Sequence, residues 1–472
     1  MARTRPRVAI VGAGPAGAFA AACLLRARGD AEIDLFERLP TPWGLLRGGV
    51  APDHQEIKRL QDLFERQTLK RGCRLIANVE VGVDVSHAEL MGHYTAVIYA
   101  TGAQTDTSLG IPGENLPGSW AATEFVGWYN GHPDYRALQF DLSAQRAVVI
   151  GNGNVAADVT RMLTLSDAEL ERTDMAGHAL EALRESAIRE VIVLGRRGPA
   201  QAAFTSAELR ELGHLDGVDT SVDADEIELD GVSQQWLDEE GTFTARKNVE
   251  LLREFAGRQA RQDARRRIEL RFLCSPVAIR GTGRVEAIDV CRNEIVRAGD
   301  GSLRARALDD EPETIGCGLV LRSVGYRAVP LPHVPFDERR FVLPNERGRV
   351  LTPDGRPLRG VYAVGWIKRG PTGILGTNKR DAEETVSSLV DDLRAAALTQ
   401  PAAPDREQID ALLAERKPDV VSAEGWRAID GDELARGRRE QRPRVKLASR
   451  SELLAAAAGS RSAARSMDSA IT

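Results

Sequence analysis

The sequence predicts an α/β fold with two nucleotide-binding βαβ units, the second inserted within the domain that the first begins. Three observations carry this. An apolar run, Val8 to Val11, leads into Gly12-Ala13-Gly14-Pro15-Ala16-Gly17, with Glu37 twenty residues past the last glycine. A second run, Ala147 to Ile150, leads into Gly151-Asn152-Gly153-Asn154-Val155-Ala156, and a third, Val191 to Leu194, ends in Gly195-Arg196-Arg197. At 472 residues the chain is also longer than one ordinary domain, so two domains or more are expected.

The first βαβ unit is a strand over 7–11, a helix over 15–28 and a strand over 32–36. Ile57, Leu60, Leu63 and Phe64 predict a helix over about 54–71. Strands are expected over 74–81 and 94–100, the latter ending in Thr101-Gly102. The second unit opens at Arg146. Its helix carries Val155, Val159, Met162 and Leu163 on one face, and its second strand is 190–194. Residues 216–243 are polar and acidic. Further strands are expected over 268–273, 317–322 (ending in Val324-Gly325) and 360–364 (leading to Gly365-Trp366). The first domain is therefore expected to be interrupted: residues 1–103 begin it, 104–324 form the inserted domain, and 325–472 complete it. The Ala-, Arg- and Ser-rich end is expected to be weakly ordered from about 455.

The glycines have separate tasks. The first permits a tight turn, the second lets backbone approach a pyrophosphate, and the third lets helix and strand pack closely. Ala156 in the third position of the second motif is compatible with this. The N–H groups at each helix start hold phosphate. Glu37 can accept hydrogen bonds from ribose hydroxyls, whereas Arg196 and Arg197 suit a 2′-phosphate, which an acid would repel. Two Rossmann-like sites of this kind, one for a free ribose and one for a 2′-phosphate, suit electron transfer between two dinucleotides.

Composition excludes several other classes. No long uncharged apolar run suggests a membrane span. Arg3, Arg5 and Arg7 before an apolar stretch to Leu25 loosely mimic a secretory leader, but glycines and a proline interrupt that stretch at motif positions. Five scattered cysteines (Cys23, Cys73, Cys274, Cys291 and Cys317) form no C-x-x-C pair, which disfavours a redox dithiol or zinc and fits a reducing cytoplasm. A net charge of −6 gives no reason to expect nucleic acid.

Further motifs carry a resemblance. Pro42-Trp43-Gly44-Leu45-Leu46, Gly49 to His54, Gly151 to Asp158, Arg196 to Pro199, Ala203 to Leu212 and Trp366 to Asn378 resemble the adrenodoxin reductase family of ferredoxin–NADP+ reductases, in its actinobacterial-type form without a fused ferredoxin. Gly425-Trp426 to Asp430 extends the match. The resemblance implies FAD in the first site and NADP in the second. It implies FAD contacts from Gly12, Gly14, Ala16, Gly17, Glu37, Leu45, Val81, Trp366, Gly373, Ile374 and Leu375. It implies NADP contacts from Asn152, Gly153, Asn154, Val155, Arg196, Arg197, Glu208 and Gly373. The chain departs from the pattern at Arg47-Gly48, where many relatives carry an aromatic, and at Asn152, where glutamine is common.

The implied reaction passes hydride from NADPH to FAD and single electrons to a ferredoxin-type iron–sulfur protein. His54 and Glu208 are candidates for groups near the nicotinamide, with Asp158 a third; solvated carboxylates and a helix-start histidine are the plain alternatives. Between residues 253 and 271, Arg253, Arg258, Arg261, Arg265, Arg266, Arg267 and Arg271 offer a docking stretch for an acidic ferredoxin, with Arg258, Arg261 and Arg265 expected on one helical face; a solvated basic helix is the alternative. Rival readings are an NADPH-dependent flavin monooxygenase, disfavoured by the lack of an F-x-G-x-x-x-H signature between the two motifs, and a non-enzymatic dinucleotide-binding sensor.

Overall fold

The computed structural model describes residues 5–373, 375–402 and 405–468. The chain divides into two compact units: residues 1–105, 130–136 and 326–472 form one, and 106–129 with 137–325 form the other.

The first unit is built on a seven-stranded sheet. Arg7–Val11 lies between Glu32–Glu37 and Ala96–Tyr99, all parallel; Arg74–Ala77 flanks the former and Pro357–Ala363 the latter. Helices cover both faces, which is why Val8, Ala9 and Ile10 are all buried rather than alternating. The Ala-rich helix Pro15–Ala27 starts with proline at its first turn, where no N–H is needed, and packs against the helix Leu375–Arg394. The helix expected over 54–71 is broken into Gln55–Lys58, Leu60–Gln67 and a short turn Leu69–Arg71. Thr68 breaks it by donating its hydroxyl to Phe64 O at 2.7 Å, and Gly72 ends it in a left-handed conformation.

Residues 130–136 join this unit, although the sequence places them in the inserted domain. Asp134 pairs with Arg38, and Asn130 Oδ1 accepts from Lys58 and Lys446. At the end of the described chain, Arg450–Asp468 is a helix whose Leu453 and Ala457 belong to the core.

The second unit has a parallel six-stranded sheet, in the order Ser119–Ala121, Leu319–Arg322, Arg146–Ile150, Glu190–Leu194, Arg266–Arg271, Val218–Val222. A four-stranded antiparallel sheet, Cys274–Arg280, Ala287–Arg297, Leu303–Ala307 and Glu313–Gly316, completes it. The arginine-rich stretch is not one helix. The helix Phe243–Ala256 stops at Gly257, and Arg266–Arg271 is an interior strand whose Ile268 and Leu270 point into the core. Arg258, Arg261 and Arg265 therefore share no helical face. The period that suggests one is fortuitous, because the apolar positions alternate as in a strand.

Candidate functional site

Each glycine motif sits where the sheet order of its unit reverses, at the carboxyl ends of the strands, the usual position for a ligand in this architecture. In the first unit Gly12 has φ +107°, and a Cβ there would meet Ala100 O at 2.5 Å. A Cβ on Gly17 would lie 2.0 Å from Gly12 O, so the helix can start this close to the turn only with glycine. Gly14 caps Pro15–Ala27 without any side-chain acceptor, leaving the first N–H groups for a ligand. Ala16 is buried beneath Gly365.

Glu37 ends the second strand. Its two oxygens accept from Ala13 N–H and Leu39 N–H, each at 3.0 Å. Burial pushes its carboxyl up, against the lowering effect of those two N–H groups. A hydroxyl donor brought to the remaining lone pairs would relieve that burial, which fits a ribose.

The other expected contacts of this unit are spread over four segments. Leu45 opens the short turn Leu45–Gly48 and is partly exposed, and Val81 is half-buried. The Trp366 ring lies 5.3 Å from the Tyr326 ring, tilted at 46° to it, and its indole nitrogen is buried without a hydrogen-bond partner among the described residues. That orphaned donor is a second feature that fits a bound cofactor. Gly373 is exposed with φ +83°. Ile374 lies outside the described residues, and Leu375 begins the helix Leu375–Arg394. His54 occupies the N-cap position of Gln55–Lys58. Its carbonyl accepts from Ile57 and Lys58, and its ring caps nothing.

In the second unit Gly151 has φ +127°, and a Cβ there would meet Ser323 O at 2.2 Å. Gly153 caps Asn154–Thr164, again without a side-chain acceptor. Asn152 carries its amide nitrogen buried and without a partner among the described residues, beside Gly195. Asn154 has another task as well: its Oδ1 accepts from Thr205 N–H at 2.8 Å and fixes the entry to the helix Ser206–Leu212. Val155 is half-buried in the first turn. At the end of the neighbouring strand Arg196 is exposed and Arg197 half-buried. Neither guanidinium has a hydrogen bond or ion pair among the described residues. Burial, and then the adjacent Arg196 charge, hold Arg197 below its ordinary value. Two adjacent cations without a counter-charge fit a phosphate.

The same unit brings Asp158 and Glu208 together through a residue that sequence reasoning missed. Arg161 is fully buried; it pairs with Asp158 at 2.7 Å, Glu208 at 3.3 Å and Glu211 at 3.5 Å. The signal was the spacing Asp158-x-x-Arg161, which puts both on one face of Asn154–Thr164. Glu433 was also missed. Burial opposes its charge, but Arg47 and Arg444 override this and hold its carboxyl below the usual range. Through it the turn carrying Leu45 is fastened to the helix Ala423–Glu440.

All five cysteines are free and buried. Burial pushes Cys73 and Cys317 up to about 12 and Cys274 to about 11, so these thiols are not nucleophiles near neutral pH. No helix among the described residues is long and apolar enough to cross a membrane.

Comparison with known proteins agrees with this geometry. A family model described as pyridine nucleotide-disulphide oxidoreductase matches residues 6–374. The chain is 49% identical over 456 residues to the NADPH-ferredoxin reductase FprA of Mycobacterium tuberculosis, covering 95% of this chain and 98% of that one. It is 40% identical over 471 residues to the mitochondrial NADPH:adrenodoxin oxidoreductase of Arabidopsis thaliana, covering 97% and 96%. The solved structure of Mycobacterium tuberculosis FprA in complex with NADPH matches with a TM-score of 0.89 at 47% identity, over 96% of this chain and 99% of that chain.

Proposed function

The chain belongs to the pyridine nucleotide-disulphide oxidoreductase family, and to its adrenodoxin reductase-type ferredoxin–NADP+ reductases; from that premise we propose that it is an FAD-dependent NADPH-ferredoxin reductase. The observation that carries the reading is the pair of opposite readers on like glycine loops: the Glu37 carboxylate in the first unit and the unpaired Arg196 and Arg197 in the second. Bound there, FAD and NADPH supply the chemistry, hydride from the nicotinamide to the flavin and then single electrons to a ferredoxin-type iron–sulfur protein.

The chain's own residues bind and orient. Gly12, Gly14 and Gly17 admit the FAD pyrophosphate, Glu37 accepts from its ribose, and the Trp366 indole N–H donates to it. Gly153 and the N–H groups of Asn154 and Val155 hold the NADP pyrophosphate, and Arg196 and Arg197 bind the 2′-phosphate. Glu208, aimed by Arg161, accepts from the nicotinamide carboxamide. Asp158 shares the same guanidinium. His54, at the start of Gln55–Lys58, holds a proton for the flavin. Dithiol chemistry, which the family's description mentions, has no ready thiolate in Cys73, Cys274 or Cys317.

The partner of this reading is an acidic ferredoxin. The exposed Arg253, Arg261 and Arg267 form the docking stretch. Arg266 is spent on Leu163 O and Leu165 O, and Arg271 on Glu226 and Glu313. Buried free thiols support a cytoplasmic setting. Anaerobic titration with NADPH tests the whole. The purified protein is expected to be yellow, to bleach with NADPH far more readily than with NADH, and to recover colour when ferredoxin is added, with cytochrome c as final reporter. A colourless protein, or a flavin that NADPH does not bleach, sinks it. Stopped-flow reduction of His54→Ala by NADPH tests the histidine: an unchanged rate removes its role.

A further inference from the structure

Among the described residues the Arg196 and Arg197 side chains have no partner that aims them, so their direction depends on the backbone that carries them. Three consecutive carbonyls of that loop are held. Gly195 O accepts from Cys274 N–H at 3.0 Å, Arg197 O accepts from Leu273 N–H at 3.2 Å, and Arg196 O accepts from Asn293 Nδ2 at 2.8 Å. The outer two donors are main-chain groups that almost any residue supplies. The middle one depends on one side chain.

Asn293 lies in the middle of the strand Ala287–Arg297 and is 5% exposed. Its second amide hydrogen goes to Ser275 Oγ at 2.8 Å, so both donors are used and the amide cannot turn without losing one. Its own N–H donates to Leu273 O at 2.7 Å, and Leu273 stands at φ +53°, a conformation that leucine holds only when its surroundings impose it. The buried Glu226 pins both sides of this arrangement, accepting from Phe272 N–H, Arg271 Nε and Arg292 Nη1. The loop therefore rests on a rigid support that ends in a single amide.

We infer that Asn293 is a positioning residue for 2′-phosphate recognition: by holding the Arg196 carbonyl it fixes the peptide plane from which the Arg196 side chain reaches the coenzyme. This rests on reading Arg196 and Arg197 as the 2′-phosphate site. Asn293 is buried, and in this reading its effect on the coenzyme passes through the Arg196 carbonyl that it holds.

The test uses the full-length, flavin-loaded protein and 2′,5′-ADP, which carries the 2′-phosphate without the nicotinamide. Calorimetry gives its affinity; steady-state kinetics give KM for NADPH and for NADH. Asn293→Ala is expected to weaken 2′,5′-ADP by about 5–20-fold, the range for one lost hydrogen bond to an ordered loop, and to raise KM for NADPH alike. KM for NADH, which has no 2′-phosphate, is expected to move less than about twofold. Arg196→Ala weakens 2′,5′-ADP more, and adding Asn293→Ala to it costs nothing further, because the amide then has no side chain left to aim. A generally damaged domain would instead raise both KM values and give losses that multiply; either result overturns the inference. Arg196→Ala binding 2′,5′-ADP like the wild type overturns the phosphate reading, and the inference with it. Should Asn293→Ala not fold, Asn293→Asp keeps the volume, cannot donate when ionised, and gives the same comparison.

Discussion

The two glycine cradles differ less in their loops than in what reads the ligand. In each, the first glycine has positive φ and donates its N–H at 2.8 Å to a carbonyl at the carboxyl end of the neighbouring strand, Gly12 to Phe36 O and Gly151 to Leu194 O. In each, a Cβ on that glycine would strike a carbonyl of the next strand over, Ala100 O or Ser323 O. They part at the third position and at the reader. Gly17 is forced by Gly12 O, whereas the buried Ala156 fits its helix–strand contact. Glu37 is a carboxylate raised by burial, and Arg197 a guanidinium lowered by burial and by Arg196. Both readers are electrostatically unsatisfied without ligand, in opposite senses. In the proposed function the loops would hold phosphate of any dinucleotide, and the sign of the charge beside them would choose which.

The largest expected effect breaks this comparison at the third position. Gly17→Ala would put a Cβ 2.0 Å from Gly12 O. It is expected to cost more than about 3 kcal/mol and to abolish flavin retention, because backbone must move. The reciprocal Ala156→Gly is expected to cost about 1.5–2 kcal/mol, the entropy of a helical glycine plus one lost buried methyl, with NADPH still bound. Thermal denaturation and flavin content measure both. Equal losses would show that the third position serves the same contact in both units.

Next come the readers. Arg196→Ala with Arg197→Ala is expected to raise KM for NADPH by about 10²–10³-fold, since two charge-assisted contacts to one dianion are lost. NADH, which never met the arginines, is expected to become the comparable or better donor. If NADPH keeps its advantage, the second cradle reads the coenzyme elsewhere.

Glu37→Gln is expected to act in two directions at once. Flavin affinity should fall about 10–100-fold as charge-assisted acceptors are lost. The apoprotein should gain stability at neutral pH. Glu37's folded-state value is raised by burial, so its ionised form opposes folding above that value. As pH falls through the raised value the wild-type carboxyl protonates and the difference closes. Denaturant unfolding of both apoproteins between pH 4 and 8 measures this; an apoprotein destabilised at neutral pH would make Glu37 a fold anchor rather than a reader.

These residues were legible because each follows a strand at a spacing that topology dictates. Gly12, Glu37, Gly151 and Arg196 stand at strand ends, and both βαβ units show their period plainly. What was not legible depends on contacts between distant segments. Arg161 reads as a polar residue in an amphipathic helix, and only the fold delivers Glu208 and Glu211 to it. Asn293 reads as a polar residue among Cys291, Arg292 and Glu294, and the antiparallel sheet containing it lacks a clean alternation, since Leu303–Ala307 is largely exposed. The helix expected around Arg261 failed for the opposite reason. Arginine spacing mimicked a helical face, while the informative residues were Ile268 and Leu270, alternating within a strand.

That correction narrows the smallest prediction, which concerns the surface rather than the cradles. Of the arginines in the 253–271 stretch, Arg258 donates to Gly213 O and Glu254, Arg265 to Asp216 O, and Arg266 and Arg271 hold the unit together. Arg261 is exposed and, among the described residues, its guanidinium pairs only with Asp263, at 3.6 Å, so its charge can act on a partner without disturbing the fold. Arg261→Glu is expected to raise KM for an acidic ferredoxin about 3–10-fold at low ionic strength, as a rim charge that steers encounter does. The difference should shrink severalfold at about 0.5 M salt, where the screening length is about 4 Å. NADPH-driven reduction of a small neutral dye, which needs no docking, serves as the control. Arg266→Glu is the contrasting variant: it removes the donor to Leu163 O and Leu165 O, and so should lower thermal stability first. If Arg261→Glu leaves the ferredoxin KM unchanged at low salt, the partner docks on a different face and the arginines of this stretch serve the fold alone.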